Sequence, residues 1–312
     1  MIPSSPSRSP SALVKKALHS PGRAARKARI YAQHWVQDWQ RRLTQADRYR
    51  QQINQTEIRV VGLRRTGNHA LITWIQAQAG EQVQHLNNLI PDENPYRYKY
   101  EQLRDYYPEH QVMMERYRQQ AIGNFTDKDC LIYSYEDHDL AAIASPKFEQ
   151  RHDLYLGHSH QRYDVLILRD PFNLFASRFK QGYLEVSAPG KTMVDLWLDY
   201  AKEFLHETQR LNQCKVCVNY NQWASDRNYR AAIAAQLGLE FTDAGINDVG
   251  TWGGGSSFEG QSFQGRAREM DVTNRWQHFS ETPAYRSLFK HTDLWHYSER
   301  IFGHIPGTDS LR

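Results

Sequence analysis

The sequence predicts an α/β fold: a central parallel sheet with helices on both faces. Three observations carry that expectation. Short apolar, β-branched runs alternate with helical stretches; a glycine-containing loop follows the first run directly; and the third run ends in Arg169-Asp170-Pro171, a helix start. No run approaches eighteen apolar residues, so no spanning helix is expected, and the start lacks the pattern of a secretory signal. Three cysteines, Cys130, Cys214 and Cys217, cannot build a disulfide framework, so the expected setting is reducing and cytoplasmic.

The elements follow in order. Residues 1–22 are Ser/Pro-rich with scattered bases and little to bury, the composition of a disordered tail. Over 23–54 the pattern turns helical, with Tyr31, Trp35, Trp39 and Leu43 recurring every four residues among Arg26, Lys27, Arg41, Arg42 and Arg48. Such a basic amphipathic helix either lies on an anionic membrane surface or docks its aromatic stripe on the domain; the second reading is favoured. The acid-poor, Arg/Ser-rich start also has the composition of an organelle transit peptide. Residues 55–312 form the domain proper. Its strand candidates are 58–62, 130–135, 163–168 and 215–220, with helices over 70–79 and 227–237. The Tyr- and charge-rich stretch 96–117 reads as a helical insertion over the sheet's ligand-binding edge. Its aromatics either stack on a flat acceptor or pack as a lid. Residues 250–265 hold six glycines and read as a loop.

Charge is divided unevenly. The formal balance is +4, yet residues 1–50 hold 11 Lys+Arg against Asp38 and Asp47, leaving 28 bases and 33 acids elsewhere. The basic balance therefore belongs to the N-terminal segment and gives no reason to expect a nucleic-acid partner.

Gly62-Leu63-Arg64-Arg65-Thr66-Gly67-Asn68-His69 lies between a strand and a helix, where unsatisfied N–H groups and the helix dipole favour an anion. The two glycines fit G-x-x-x-x-G-K-[ST], but Asn68 and His69 replace the Lys and the hydroxyl. Those residues neutralise β/γ-phosphates and hold Mg²⁺, so their loss disfavours phosphoryl transfer. Arg64 and Arg65 supply fixed charge instead, which suits a sulfuryl group because it carries less negative charge. Taken alone, the loop is also compatible with an ordinary βα turn bearing arginines. At the second site Arg169 stands at a strand end, with Ser177 on the helix after it, where the pair can clamp a second anion.

Together these motifs resemble the PAPS-dependent sulfotransferases. Arg65–Leu71 is similar to the 5′-phosphosulfate loop of the carbohydrate-modifying branch, and Arg169 with Ser177 has the spacing of the family's 3′-phosphate motif. Asn219–Trp223 resembles the family's next strand–helix unit, whose Tyr, here Tyr220, lies near the adenine. The resemblance covers roughly 57–300. It implies a P-loop nucleoside triphosphate hydrolase-like three-layer sandwich, PAPS as co-substrate without a metal, and transfer to a hydroxyl or amine of a carbohydrate or small molecule. It assigns Arg64, Arg65, Thr66, Gly67, Asn68, His69, Arg169, Ser177 and Tyr220 to the nucleotide. Gly265-Arg266-Ala267-Arg268, upstream of Asn274–Phe279, is the counterpart of a basic C-terminal loop over the 3′-phosphate; Arg266 is taken as a ligand, and the choice among the C-terminal arginines stays open. The family's loop usually has Lys at the position of Arg65 and a hydroxyl pair at Asn68-His69. The base would be Glu136, with His138 or Asp137 as alternatives and Arg65 steadying the group in transit. The rival readings are a nucleotide kinase-like phosphotransferase and a non-catalytic nucleotide- or glycan-binding module.

Two smaller patterns are read as structural. His152, His158 and His160 match no zinc spacing and read as surface residues of a polar loop. Cys214 and Cys217 fall within a strand expected to be buried, on opposite faces, as core residues.

Overall fold

A computed structural model describes residues 21–44, 51–250 and 255–312. In chain order its first elements are α1 (Pro21–Thr44), β1 (Gln52–Gly62), α2 (Asn68–Gln76), β2 (Val83–Leu86), α3 (Pro95–Tyr106), α4 (Gln111–Ala121) and β3 (Lys128–Glu136). Then come α5 (Leu140–Ile143), α6 (Pro146–Glu149), α7 (His152–Leu156), β4 (His158–Leu168), α8 (Pro171–Gln181), α9 (Met193–Phe204) and β5 (Cys214–Asn219). The chain closes with α10 (Tyr220–Ser225), α11 (Arg227–Gln236), short 3₁₀ turns, α12 (Pro283–Arg286) and α13 (Thr292–Phe302). The tail expected over most of 1–22 lies outside the described residues. The helix expected over 23–54 is described only to Thr44, and β1 already begins at Gln52.

The chain divides into two compact units. The first comprises 1–52, 94–126 and 151–158; the second comprises 53–93, 127–150 and 159–312. In the first, Asn94 caps α3 by accepting from the Arg97 amide at 3.1 Å. Tyr96 is buried against Tyr117 and Phe125, at 6.3 and 6.2 Å. One face of α1 joins this unit. Arg41 donates to the carbonyls of Ala121 and Leu154 at 3.0 and 2.8 Å, and Asp38 takes both amines of Arg97. The aromatic stripe of α1 is not the docking face: Trp35 and Trp39 are 62% and 53% exposed. The packed face is polar, because backbone carbonyls at two helix ends need a donor and Arg41 reaches both. The stretch 96–117 is helical, as expected, and falls into α3 and α4 of this first unit.

The second unit is built on the sheet β2-β3-β1-β4-β5, a five-stranded parallel sheet flanked by helices. On one face Ile58, Val60, Ile132, Val165, Ile167 and Val218 pack beneath α2, α10 and α11. The alternate residues face a different interior. Arg59, 1% exposed, donates to Asp164 at 2.6 and 3.0 Å and to Glu149 at 2.7 Å, while Tyr133 and Arg162 reach Glu57. Buried charges there are paired, as burial demands.

Two expectations are corrected here. β5 is an edge strand, so Cys214 is exposed and Cys217 only half-buried. Residues 152–156 form helix α7, and His152 is buried against Asp153 at 2.7 Å; only His158 and His160 are exposed. The strand β2, four residues without an apolar run, was not expected from the sequence.

Candidate anion-binding site at the strand ends

The loop between β1 and α2 is shaped by two glycines. Gly67 caps α2 at φ 111°, and a methyl group there would lie 2.2 Å from the Tyr220 ring. A methyl group on Gly62 would lie 2.1 Å from Asn68 Oδ1. Only glycine fits either place. Arg65 also takes positive φ, 71°, which turns its side chain towards the glycine-rich segment. There it donates to Gly255 O at 2.9 Å and Ser257 Oγ at 2.7 Å.

Parallel register sets Gly62 opposite Glu136, so the end of β3 stands beside this loop. Glu136 is 8% exposed and accepts from Asn68 Nδ2 at 2.9 Å, with His69 Nε2 and Arg64 Nε each 3.9 Å away. Asp137 has a different occupation. At φ 62° it accepts from Arg178 Nη1 at 2.7 Å and the Arg64 amide at 2.9 Å, a fully buried pair tying β3 to the loop. The His138 ring lies edge-on to Tyr135, and its carbonyl accepts from Tyr200. Burial, reinforced by nearby Arg64, lowers the His138 pKa to about 4, so the ring is neutral at pH 7.

The second half of the site follows β4. Asp170 caps α8 through the Asn173 amide at 2.8 Å, with Pro171 in the first turn. Two turns on, Ser177 is fully buried. Its hydroxyl is met by Arg169 Nη1 and Arg275 Nη1, each at 3.3 Å. Arg169 also reaches the carbonyls of Arg65 and Val272, and its guanidinium lies 5.1 Å from the centre of the Tyr220 ring.

Two guanidinium groups therefore converge on one hydroxyl, and Arg169 ties them to the loop through the Arg65 carbonyl. Among the described residues neither Arg65 nor Arg169 has a carboxylate in ion-pair range, and Arg275 has Glu259 at 3.0 Å. Burial, then repulsion from Arg275, lowers the pKa of both Arg65 and Arg169, that of Arg169 to about 10. Two donors in the same loops, Thr66 Oγ1 and Arg169 Nε, are buried without a partner among the described residues. Surplus positive charge with spare donors is an arrangement that an anion completes.

Arg64, Arg65, Thr66, Gly67, Asn68, His69 and Glu136 are gathered at one loop, and Arg169, Ser177 and Tyr220 beside it. Arg266 makes its contacts elsewhere: it is largely exposed, pairs with Glu269 at 3.1 Å and lies over Phe263. Arg275 is the residue that the sequence did not single out. Its signal was weak, since Asn274-Arg275-Trp276 sits past the glycine-rich segment without a motif of its own. No group of His, Cys, Asp or Glu suited to a metal occurs among the described residues.

No family model matches the chain, and no curated protein does. Solved structures that are similar at low identity include the following two. Mouse sulfotransferase SULT7A1 complexed with PAP is 10% identical, with a TM-score of 0.42 over 85% of this chain and 91% of that one. Retinol dehydratase in complex with androsterone and inactive cofactor PAP is 11% identical, with a TM-score of 0.35 over 85% and 83%. The sheet order and the loop geometry stand independently of these likenesses.

Proposed function

We propose that this chain is a PAPS-dependent sulfotransferase acting on a hydroxyl or amine of a carbohydrate or small-molecule acceptor. The observation that carries the reading is the convergence of Arg169 and Arg275 on the Ser177 hydroxyl, with Arg65 in the adjoining loop and one carboxylate paired among the three. Arg169, Ser177 and Arg275 hold the 3′-phosphate in this reading. The loop residues 64–69 hold the phosphosulfate, and Tyr220 stands by the adenine. Thr66 Oγ1 and Arg169 Nε, buried and unpartnered, suit phosphate oxygens.

PAPS, when bound, supplies a sulfuryl group joined to phosphate through an anhydride oxygen. Glu136 takes the proton of the acceptor as its oxygen or nitrogen forms the new bond to sulfur. The S–O bond to phosphate breaks, and its electron pair leaves on PAP. Glu136 suits this role because Asn68 holds one of its oxygens at 2.9 Å while Asp137 is already engaged by Arg178. His138 and Asp137 serve the strand end instead. Arg65, held against Gly255 and Ser257, adds fixed charge beside the loop, the place for steadying the group in transit.

Calorimetric titration with PAP and with ATP, each with and without Mg²⁺, tests the reading. Metal-independent PAP binding is expected. Mg²⁺-dependent ATP binding without PAP binding would favour a phosphotransferase. Glu136→Gln is expected to lower turnover by about 10²–10⁴-fold while PAP affinity stays near wild type. Full turnover in that variant reassigns the base.

A further inference from the structure

Helix α1 has two unlike faces. One carries Asp38 and Arg41 into the first unit, as described above. The other presents Trp35, Val36, Trp39 and Leu43 to solvent, with exposures of 62, 44, 53 and 64%. Tyr31 continues the row at 51%. At about 100° per residue these side chains fall within one stripe of the helix. Four large apolar residues left outside on one helix are a surface with a use, rather than scattered exposure.

The charge around the stripe narrows that use. Residues 21–44 contain six bases, Arg23, Arg26, Lys27, Arg29, Arg41 and Arg42, of which Arg41 is buried in the first unit, and a single acid, Asp38. That acid is committed to Arg97 at 2.8 Å, so no carboxylate of α1 remains to oppose an anionic surface. Trp and Tyr prefer the boundary between headgroups and acyl chains, and arginines beside them extend to phosphates. No described helix is long and apolar enough to cross a membrane.

We propose that α1 lies flat on an anionic lipid surface, with Trp35 and Trp39 in the interfacial layer and the neighbouring bases on the headgroups. A second copy of the chain fits the stripe less well, because it would bring the same uncompensated positive charge against it. The inference does not rest on the transfer reading, and its test needs no turnover.

The test is co-sedimentation of the full chain with vesicles of phosphatidylcholine alone or with about a third phosphatidylserine, at low and high salt. Binding is expected to the anionic vesicles, at least about fivefold above the neutral ones, and to fall when about 0.5 M salt screens the charge. The Trp35→Glu/Trp39→Glu double variant is expected to lose about tenfold or more in binding, with its circular dichroism unchanged. As a second variant, Arg29→Gln/Arg42→Gln, at exposed positions in and beside the stripe, is expected to lose the preference for anionic vesicles while keeping the aromatic stripe. No binding to anionic vesicles, equal binding to neutral ones, or full binding by the tryptophan variant overturns the proposal. So does a wild-type dimer in light scattering that the tryptophan variant turns into a monomer, since the stripe would then be a self-contact.

Discussion

Single side chains decide most of the site. Arg169 was legible from the sequence because Arg-Asp-Pro marks a strand end and a helix start together. Ser177 followed from helix geometry two turns later. Arg275 lies about a hundred residues away and reaches Ser177 only through the fold; local spacing holds no trace of that meeting. The two C-terminal arginines therefore make a direct comparison. Arg275→Ala is expected to weaken PAP binding by about 1–3 kcal/mol, the range for a charge-assisted hydrogen bond and its partners. Arg266→Ala, in an exposed turn, is expected to stay within about 0.5 kcal/mol. Calorimetry on both variants checks the assignment, and equal losses would return Arg266 to the site.

At the scale of elements, the loop before α2 was readable as an anion loop from its position and its two glycines. Its rigidity was not readable, because the constraint comes from a neighbour that arrives much later in the chain. Tyr220 opens α10 directly after β5, and parallel register brings it against Gly67. Gly67→Ala faces two penalties at once, a left-handed φ of 111° and a methyl group 2.2 Å from the Tyr220 ring. Its cost is expected to be about 2–4 kcal/mol of stability, measured by urea denaturation, with PAP affinity reduced. Adding Tyr220→Ala separates the two: the steric part is relieved, and the backbone part of about 1 kcal/mol remains. A double variant no better than Gly67→Ala alone would show that the ring does not set the loop. Other elements escaped the sequence for similar reasons. β2 is too short for an alternation signal, and β5 looked buried because an apolar strand does not announce that it stands at an edge.

For the whole molecule, the alternation of apolar strands and helices was enough to give the sheet its class. The division into two units was not, since the first is assembled from three separate stretches of chain. The buried polar layer around Arg59 was equally hidden, because a polar residue in a strand reads as solvent-facing until its partners are known. Folding stability should also respond to acid in a defined window. The His138 pKa is lowered to about 4 from an ordinary 6.5, chiefly by burial, so the unfolded chain takes up a proton that the folded chain refuses. This contribution is intact above pH 6.5 and is lost progressively as the pH falls towards 4, by up to about 1.4 kcal/mol per pH unit. Denaturation midpoints of wild type and His138→Gln at pH 7 and pH 5 measure it. The variant is expected to show the shallower decline, and parallel declines would show that His138 does not contribute.

The adjacency of β1 and β4 in the sheet has a consequence for what can change over time. Each strand delivers one half of the anion site, so the separation of the halves is inherited from the spacing of hydrogen-bonded strands, about 4.8 Å, rather than from any side chain. The sheet works as a fixed gauge. A ligand is admitted by the distance between its two anionic groups, and substitution of the surrounding loops cannot stretch that distance without breaking the sheet. Under the proposed function, descendants of this chain would be free to exchange acceptors while remaining bound to one nucleotide geometry.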